Sequence, residues 1–364
     1  MTFTLYLDEQ SWNAQQDRLL AELPGIVPVV KGNGYGLGRR RLARQCRRLG
    51  VPCMAVGTPG EVHDARAEYS GDVLILQPLG RDRIPAAVAQ AADKPWLIRT
   101  VAHLEVLARL ASLAAQGMTI PRVVIELDTP VHRHGISWND AADLRDLRDL
   151  LAHVPHEGIA LHLPIEGPRE AVAHEVLDRL TSARIDPTAL WVSHLGKREV
   201  QGLTARVDVP VRPRIGTLLW HGDRSAWRVA GTVLDVHPLR RGAAVGYRGR
   251  KSPTTGSLIV VSGGTDHAVA LRGPTNNTGN WKRRLHAMAA GVAHGSGLTI
   301  SPFSWQGKRL HFADVPHMQV SMLIVPEELP PPRIGDEVEC QIRMTIATFD
   351  EICVVGPPST EAVA

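Results

Sequence analysis

Eight short apolar runs recur through the first 220 residues of the chain, and this recurrence constrains its fold more than any other feature. The runs lie at 27–30, 53–57, 72–77, 96–98, 122–127, 158–163, 190–193 and 208–212. Amphipathic stretches, as expected of helices, separate most of them; examples are 101–115, 139–152 and 168–184. Eight buried strands with helices between them are the count of a (β/α)8 barrel of the TIM type, and a doubly wound parallel sheet is the alternative.

After about residue 225 the pattern changes to short segments rich in Val and Ile, with Gly and Pro between them. These segments lie at 227–237, 257–262, 266–272, 318–325, 336–344 and 351–355. Such a pattern is typical of an all-β domain. A chain of 364 residues is long enough for two domains. We therefore predict an α/β architecture with a barrel over 1–225 and a C-terminal all-β domain over 226–364.

The composition is that of a soluble globular protein, with 44% hydrophobic and 21% charged residues. Six arginines between positions 39 and 48 suggest either a nucleic-acid patch or a solvated helix face, and the absence of interleaved aromatic residues favours the solvated face. The four cysteines lack metal-ligand spacing, which suggests reduced thiols and no metal site. With no apolar signal core and no membrane-spanning segment, a cytoplasmic protein that binds neither nucleic acid nor membrane is expected.

The first apolar run leads directly into Lys31 and then into a glycine-spaced loop that carries Tyr35. Enzymes with a (β/α)8 barrel bind their ligands at the carboxyl ends of the barrel strands. A desolvated lysine there can lose its proton and form a Schiff base with an aldehyde. The glycines expose backbone N–H groups to an anion, and the hydroxyl of Tyr35 can donate to a phosphate. A solvent-reaching lysine beside a plain turn is the alternative.

The string from Val29 to Gly38 resembles the pyridoxal-phosphate motif of the alanine racemase family. The resemblance implies that Lys31 carries pyridoxal 5'-phosphate and that Tyr35 touches its phosphate. It further implies a fold-type III enzyme that interconverts L- and D-amino acids by two-base proton transfer at Cα. The family forms homodimers with shared active sites, so a homodimer is expected.

The last apolar run continues into a segment that resembles another family motif. The resemblance places Arg212 against the pyridine nitrogen of the cofactor, with Ile215 and Gly216 in the cofactor site. An arginine is always cationic, so it keeps that nitrogen unprotonated and favours racemisation over transamination or decarboxylation. Arg214 stands where the family usually has glycine.

Two further residues match the catalytic apparatus of the family. His162 lies near the end of the sixth apolar run, and the resemblance makes it the link between the pyridine arginine and a catalytic tyrosine. Tyr247 lies in the segment in which the family keeps that tyrosine, which is the second base and reaches the active site of the partner subunit. A phenol acts as a base only where positive charge favours the phenolate. Contacts from Tyr247 through His162 to Arg212 would supply that charge.

The string from Glu126 to Gly135 resembles a signature in which a carboxylated lysine braces an arginine against the substrate carboxylate. Here Glu126 stands at the lysine position and Arg133 at the arginine position. A glutamate is already an anion, so it can orient Arg133 without carbon dioxide. Met318 matches a family methionine whose backbone contacts the substrate.

The chain also departs from the family pattern. Gly264 occupies a tyrosine position, Phe349 falls where a tyrosine binds the phosphate, and Ser193–Lys197 matches a phosphate loop only loosely. Losing entrance tyrosines should widen the site, which leaves open whether alanine or a larger amino acid is the substrate. The alternatives are another fold-type III enzyme (decarboxylase, aldolase or dehydratase) and a catalytically silent cofactor-binding protein.

Overall fold

A computed structural model of the chain describes residues 2–271 and 299–356. The chain divides into two compact units, one of residues 14–222 and one of residues 1–13 together with 223–364. The second unit begins close to the predicted boundary at 226. The assignment of the first thirteen residues to the barrel is corrected, because strand β1 (Phe3–Asp8) pairs with strands of the second unit.

Eight parallel strands close into a barrel in the first unit, which confirms the (β/α)8 prediction over the doubly wound sheet. They are β2 (Val27–Val30), β3 (Cys53–Val56), β4 (Asp72–Pro78), β5 (Leu97–Val101), β6 (Arg122–Leu127), β7 (His156–His162), β8 (Leu190–Ser193) and β9 (Val211–Ile215). Closure is completed by the parallel pairing of β2 with β9, in which Val27 lies opposite Arg214. The carboxyl ends of all eight strands therefore meet at one face.

The helices alternate with the barrel strands as the amphipathic stretches predicted. They are α1 (Glu9–Glu22), α2 (Arg39–Arg48), α3 (Val62–Arg66), α4 (Ile84–Ala89), α5 (Leu104–Ala115), α6 (Ala141–Leu151), α7 (Arg169–Ser182), α8 (Lys197–Arg206) and α9 (Thr217–His221). The capping carboxylate of Asp140 accepts a hydrogen bond from the N–H of Ala142 at 2.7 Å and so begins α6. In α5, apolar residues spaced three and four apart, such as Val106 and Leu110, are buried.

The arginine cluster of α2 is largely neutralised by neighbouring carboxylates. Arg39 and Arg40 both pair with Asp64, at 2.5 and 3.4 Å. Two other arginines of the helix pair with acids of other elements, namely Arg44 with Glu68 and Arg48 with Asp17. These pairings agree with the solvated-face interpretation, because a surface that binds phosphates would leave its cations free.

Inside the barrel, alternate residues of each strand form an apolar core. Its members include Val27, Val29, Ala55, Leu74, Ile98, Val124, Ala160 and Trp191. Trp191 is fully buried in this core. Its indole N–H donates to the carbonyl of Glu157, near the amino end of β7, at 2.7 Å. Because the interior is filled by side chains, the open space available to a ligand lies at the strand ends and their loops.

The second unit is strand-rich, which confirms the all-β prediction. Besides β1 its described strands are β10 (Trp227–Leu239), β11 (Ala244–Val245), β12 (Arg250–Lys251), β13 (Gly256–Ser262), β14 (Ile300–Trp305), β15 (Lys308–Phe312), β16 (Val320–Pro326), β17 (Glu337–Cys340) and β18 (Glu351–Val355). Eight of them form one sheet in the order β13-β16-β15-β14-β17-β10-β1-β18. Within it β1 runs antiparallel to β10 and parallel to β18.

One predicted strand of this unit is wrong, and five of its described strands were not predicted, namely β1, β11, β12, β14 and β15. In the segment 266–272, residues Thr265–His267 form a 3-10 turn, and Ala268 and Ala270 have positive φ values of 65° and 66°. A left-handed backbone interrupts the extended conformation a strand needs; residue 272 itself lies outside the described residues. The missed hairpin of β14 and β15 is rich in Ser, Lys, Arg and His, which hides its alternation.

Over the described ranges, no helix has both the length and the apolar character needed to cross a membrane.

Candidate active site

Lys31 follows the last residue of β2 and opens a tightly wound loop at the mouth of the barrel. Four glycines of this loop, and Tyr35 with a φ of 56°, adopt the left-handed backbone. At Gly34 a side chain has no room, because an added Cβ would lie 2.4 Å from backbone atoms of Gly38 and Arg39. The glycine spacing seen in the sequence therefore serves a compact loop that begins at Lys31.

The Lys31 side chain reaches solvent at the barrel mouth, but protein surrounds enough of it to alter its titration. Burial lowers the pKa of Lys31, the positive charges of Arg133 and Arg214 lower it further, and Glu61 opposes them. A lower pKa increases the fraction of neutral amine at neutral pH, which is the form that attacks an aldehyde or accepts a proton. The environment therefore suits a nucleophilic or basic lysine.

Glu126 is buried near the end of β6 and has three basic side chains around it. Its Oε1 is 3.6 Å from Nη2 of Arg133 and 3.5 Å from Nε2 of His134. Its Oε2 is 3.5 Å from Nη1 of Arg214. The structure therefore brings Glu126 and Arg133 together as the sequence suggested, and it adds Arg214 and His134, for which no role was predicted.

Arg212 does not lie in this cluster. Its guanidinium carbon lies 4.8 Å from the centre of the Trp191 ring. The indole of Trp191 in turn contacts Glu157, near the amino end of β7. Strand β9 begins at Val211, three residues later than the predicted run, so its carboxyl end falls at Ile215. Residues two apart on a strand share a face and are separated by about 6.6 Å along it. Arg214, one step above Arg212, is consequently the arginine that reaches Glu126.

Arg214 is almost completely buried, with 5% of its surface exposed. Its Nε and Nη2 have no hydrogen-bond partner among the described residues. Buried donors without acceptors cost free energy, and a guanidinium costs more than a neutral group. Burial lowers its pKa and Glu126 acts in the opposite direction. The two unused donors are available to an acceptor on a bound molecule.

His162 ends β7 and is neutral at physiological pH. Burial, followed by the charges of Arg214 and Arg133, lowers its pKa to about 3. Its Nδ1 lies 3.0 Å from the hydroxyl of Ser193, and its ring centre is 4.9 Å from that of His194. Of the two arginines of β9, Arg214 is the one whose charge acts on His162.

Tyr35 and Gly216 meet at the edge of the same face. A Cβ added to Gly216 would lie 2.1 Å from the hydroxyl oxygen of Tyr35, so only a glycine permits this approach. Tyr35 is buried, and burial raises the pKa of its phenol, which therefore stays protonated and able to donate. Ile215 is the last residue of β9 and is buried. A phenol donor therefore lies beside a bare stretch of backbone, an arrangement that can bind an anion.

Tyr247 and Met318 belong to the second unit, where both side chains are exposed, at 89% and 71%. The N–H of Tyr247 donates to Oδ2 of Asp314 at 3.0 Å, and its ring centre is 4.9 Å from that of His317. The protruding phenol is consistent with the expectation that it serves a partner subunit. Neither side chain has Lys31, Arg133 or Arg214 in its own unit, so the contacts within that unit do not assign it a role.

The departures from the family pattern have local explanations. At Gly264 an added Cβ would lie 2.2 Å from the carbonyl oxygen of His317 and 2.5 Å from that of Met318, so a tyrosine cannot be accommodated. Phe349 stacks on Phe3, with ring centres 5.7 Å apart, and so packs against β1. Among the described residues, no three His, Cys, Asp or Glu side chains are grouped so that they could hold a metal ion.

Comparison with known proteins was consistent with this geometry. The model of the N-terminal domain of alanine racemase matches residues 7–189. An alanine racemase of Lawsonia intracellularis is 26% identical over 252 residues, which is 63% of this chain and 65% of that protein. An alanine racemase of Nitratidesulfovibrio vulgaris strain DP4 is 28% identical over 274 residues, which is 68% of this chain and 69% of that protein.

Solved structures share the fold at lower identity. The alanine racemase of Bartonella henselae with covalently bound pyridoxal phosphate gives a TM-score of 0.73 at 17% identity, and the match covers 98% of this chain and all of that one. The Bacillus anthracis alanine racemase with bound L-Ala-P gives 0.67 at 19% identity, over 93% of this chain and 84% of that one.

Proposed function

Because the chain belongs to the alanine racemase family, we propose that it is a pyridoxal 5'-phosphate-dependent isomerase that interconverts L- and D-amino acids. The observation that supports this most directly is the cluster of Lys31, Glu126, Arg133 and Arg214 at the barrel mouth. It combines an amine of lowered pKa with cations that can hold a carboxylate and a cofactor.

The residues present fit this cofactor. Lys31 supplies the amine that its aldehyde requires. The unused donors of Arg214 suit a pyridine nitrogen, which is an acceptor when unprotonated. The hydroxyl of Tyr35 beside Gly216 suits the phosphate. We therefore assign to Arg214 the role that the sequence had suggested for Arg212.

When bound, pyridoxal phosphate supplies an electron sink that lowers the barrier to loss of the Cα proton. Lys31 holds the cofactor and moves a proton on one face of Cα. Arg133 binds the substrate carboxylate, and Glu126 orients Arg133. In this proposal Tyr247 of a partner subunit moves the proton on the other face, and each base contributes about 10²–10⁴-fold.

The cation of Arg214 also distinguishes racemisation from its nearest alternative. Decarboxylation profits from a protonated ring nitrogen, which a neighbouring acid would maintain. An arginine cannot supply that proton at neutral pH. A racemase is therefore favoured over a decarboxylase on the same lysine.

The proposed activity is tested with a panel of L- and D-amino acids, starting with alanine and extending to larger side chains. Incubation with the purified chain should convert each enantiomer of a substrate toward a racemic mixture, as measured by chiral chromatography. The glycine at position 264 leads us to include substrates larger than alanine. Conversion of no amino acid by protein that carries the cofactor would contradict the proposal.

Borohydride reduction should attach the cofactor permanently to Lys31. Lys31 is favoured because burial and two arginines lower its pKa and leave its amine reactive. Digestion and mass spectrometry should find the modification on the Lys31 peptide, and Lys31→Ala should abolish it while Lys94→Ala leaves it intact. Modification at another lysine would refute this assignment.

Replacing Glu126 with glutamine should weaken substrate binding and lower stability. Arg214 would lose its carboxylate in a buried site, and breaking a buried pair costs about 3–5 kcal/mol. We expect a raised KM and a lower urea midpoint, whereas Glu170→Gln on the surface of α7 should change neither. Because Glu126 is a native carboxylate, removing bicarbonate should leave activity unchanged. An unaltered KM in Glu126→Gln would mean that it does not orient Arg133.

A further inference from the structure

The carboxylate of Glu61 joins two loops of the barrel mouth. Its Oε1 accepts the N–H of Gly32 at 2.9 Å, and its Oε2 accepts the N–H groups of Gly57 and Thr58 at 2.7 and 3.2 Å. Gly32 directly follows Lys31, whereas Gly57 follows β3. One side chain therefore ties the loop that begins with Lys31 to the loop of the neighbouring strand.

Gly57 shows how closely this carboxylate approaches the lysine. A Cβ added to Gly57 would lie 3.0 Å from Oε2 of Glu61 and 3.1 Å from Cβ of Lys31. The two side chains therefore share the space above the bare Cα of Gly57. A larger residue there would displace one or the other.

Gly32 is held at its carbonyl as well as at its N–H. The carbonyl of Gly32 accepts a hydrogen bond from Nη1 of Arg39 at 2.5 Å. Arg39 is in turn fixed by Asp64, which accepts from its Nε at 2.9 Å. Both the N–H and the carbonyl of Gly32 are thereby restrained, which limits the directions in which Lys31 can point.

We propose, on the basis of the role assigned to Lys31 above, that Glu61 is a positioning residue that holds Lys31 in place and offsets the positive charges around its amine. The charges that face Lys31 come from three elements: Arg133 from the loop after β6, Arg214 from β9 and Glu61 from the turn after β3. Only Glu61 among them is an anion. It raises the pKa of Lys31, whereas burial and both arginines lower it.

The proposal is tested by the titration of Lys31 in the full chain freed of cofactor. Limited acetylation with acetic anhydride between pH 6 and 11, with mass spectrometry of the Lys31 peptide, gives a midpoint relative to the exposed Lys251. Glu61→Gln should move this midpoint to lower pH, because the opposing arginines remain. Glu68→Gln, which removes an acid that pairs with Arg44, should leave it in place. Glu61→Asp should return it toward the wild-type value.

These measurements separate positioning from simple support of the fold. In holoenzyme, Glu61→Gln should also lower kcat by about 10- to 100-fold, as expected for a misplaced base. An unchanged Lys31 midpoint in folded Glu61→Gln, or equal midpoints in the Gln and Asp variants, would overturn the proposal. If Glu61→Gln does not fold, Gly57→Ala is decisive: it should slow borohydride trapping at Lys31, and an unchanged rate would overturn the proposal. The acetylation result does not require racemase activity, so failure of the proposed function would be seen separately.

Discussion

Replacing Tyr247 with phenylalanine should lower racemisation by about 10²–10⁴-fold, the contribution of one general base. The cofactor should remain bound, because Lys31, Tyr35 and Arg214 belong to the other unit and are unchanged. Exchange of the Cα proton with deuterated solvent should then persist for one enantiomer only, since Lys31 still serves its own face. Nuclear magnetic resonance of each enantiomer in deuterium oxide measures this directly. Equal exchange of both enantiomers would exclude Tyr247 as a base.

The same variant tests whether the active site is shared between subunits. In a dimer of one Tyr247→Phe chain and one Lys31→Ala chain, one site receives both lesions and the other receives neither. After random exchange of subunits between equal amounts of the two variants, roughly a quarter of all active sites should be intact. Mixtures of each variant with itself serve as controls. A verified heterodimer without activity would place Tyr247 in the site of its own subunit or outside the chemistry.

Arg214→Gln should reduce racemisation by about 10²–10³-fold, the cost of losing one preorganised donor. Arg212→Gln is the matched control, because it lies on the same strand one step lower and stacks on Trp191. It should change kcat by less than about tenfold, since it does not reach Glu126. Urea unfolding should show a larger loss for Arg214→Gln, because Glu126 loses a buried partner.

The opposite ranking of the two arginine variants would restore the assignment drawn from the sequence. If Arg214→Gln does not fold, Arg214→Lys keeps the charge and loses the planar donors. It should retain the fold but bind the cofactor more weakly. Fluorescence or absorbance titration with pyridoxal phosphate measures that affinity, and wild-type affinity would contradict the role proposed for Arg214.

The barrel was predictable because its strands are buried on both faces and therefore read as continuous apolar runs. The last strand is the exception, since two arginines interrupt its run. Arg214 is as buried as an apolar residue only because Glu126 lies beside it, and Glu126 is 88 positions away in the chain. No local pattern records such a pair. The role expected for Arg212 came from the resemblance of its segment to a family motif, and that motif does not show that β9 continues to Ile215 and brings Arg214 to Glu126.

The candidate site was partly predictable for a related reason. Lys31 and Tyr35 lie in one loop, and Glu126 and Arg133 lie in one strand and its loop, so each pair appears in a short string. Glu61 was missed, although Thr58 and Glu61 form the sequence signature of a capping box. That signature predicts the start of a helix and says nothing of Gly32. The contact with the Lys31 loop becomes visible only when β2 and β3 are paired.

The pairing of β1 with β10 and β18 has a consequence for synthesis of the protein. Its residues Phe3–Asp8 leave the ribosome long before Trp227–Leu239, the strand they pair with. At about 5–20 residues per second, the delay is roughly 10–45 s. The whole barrel is translated in that interval, so it can fold while an apolar strand at its amino-terminal side still lacks its partner. An apolar strand that waits in this way for its partner is exposed to aggregation until β10 has been made.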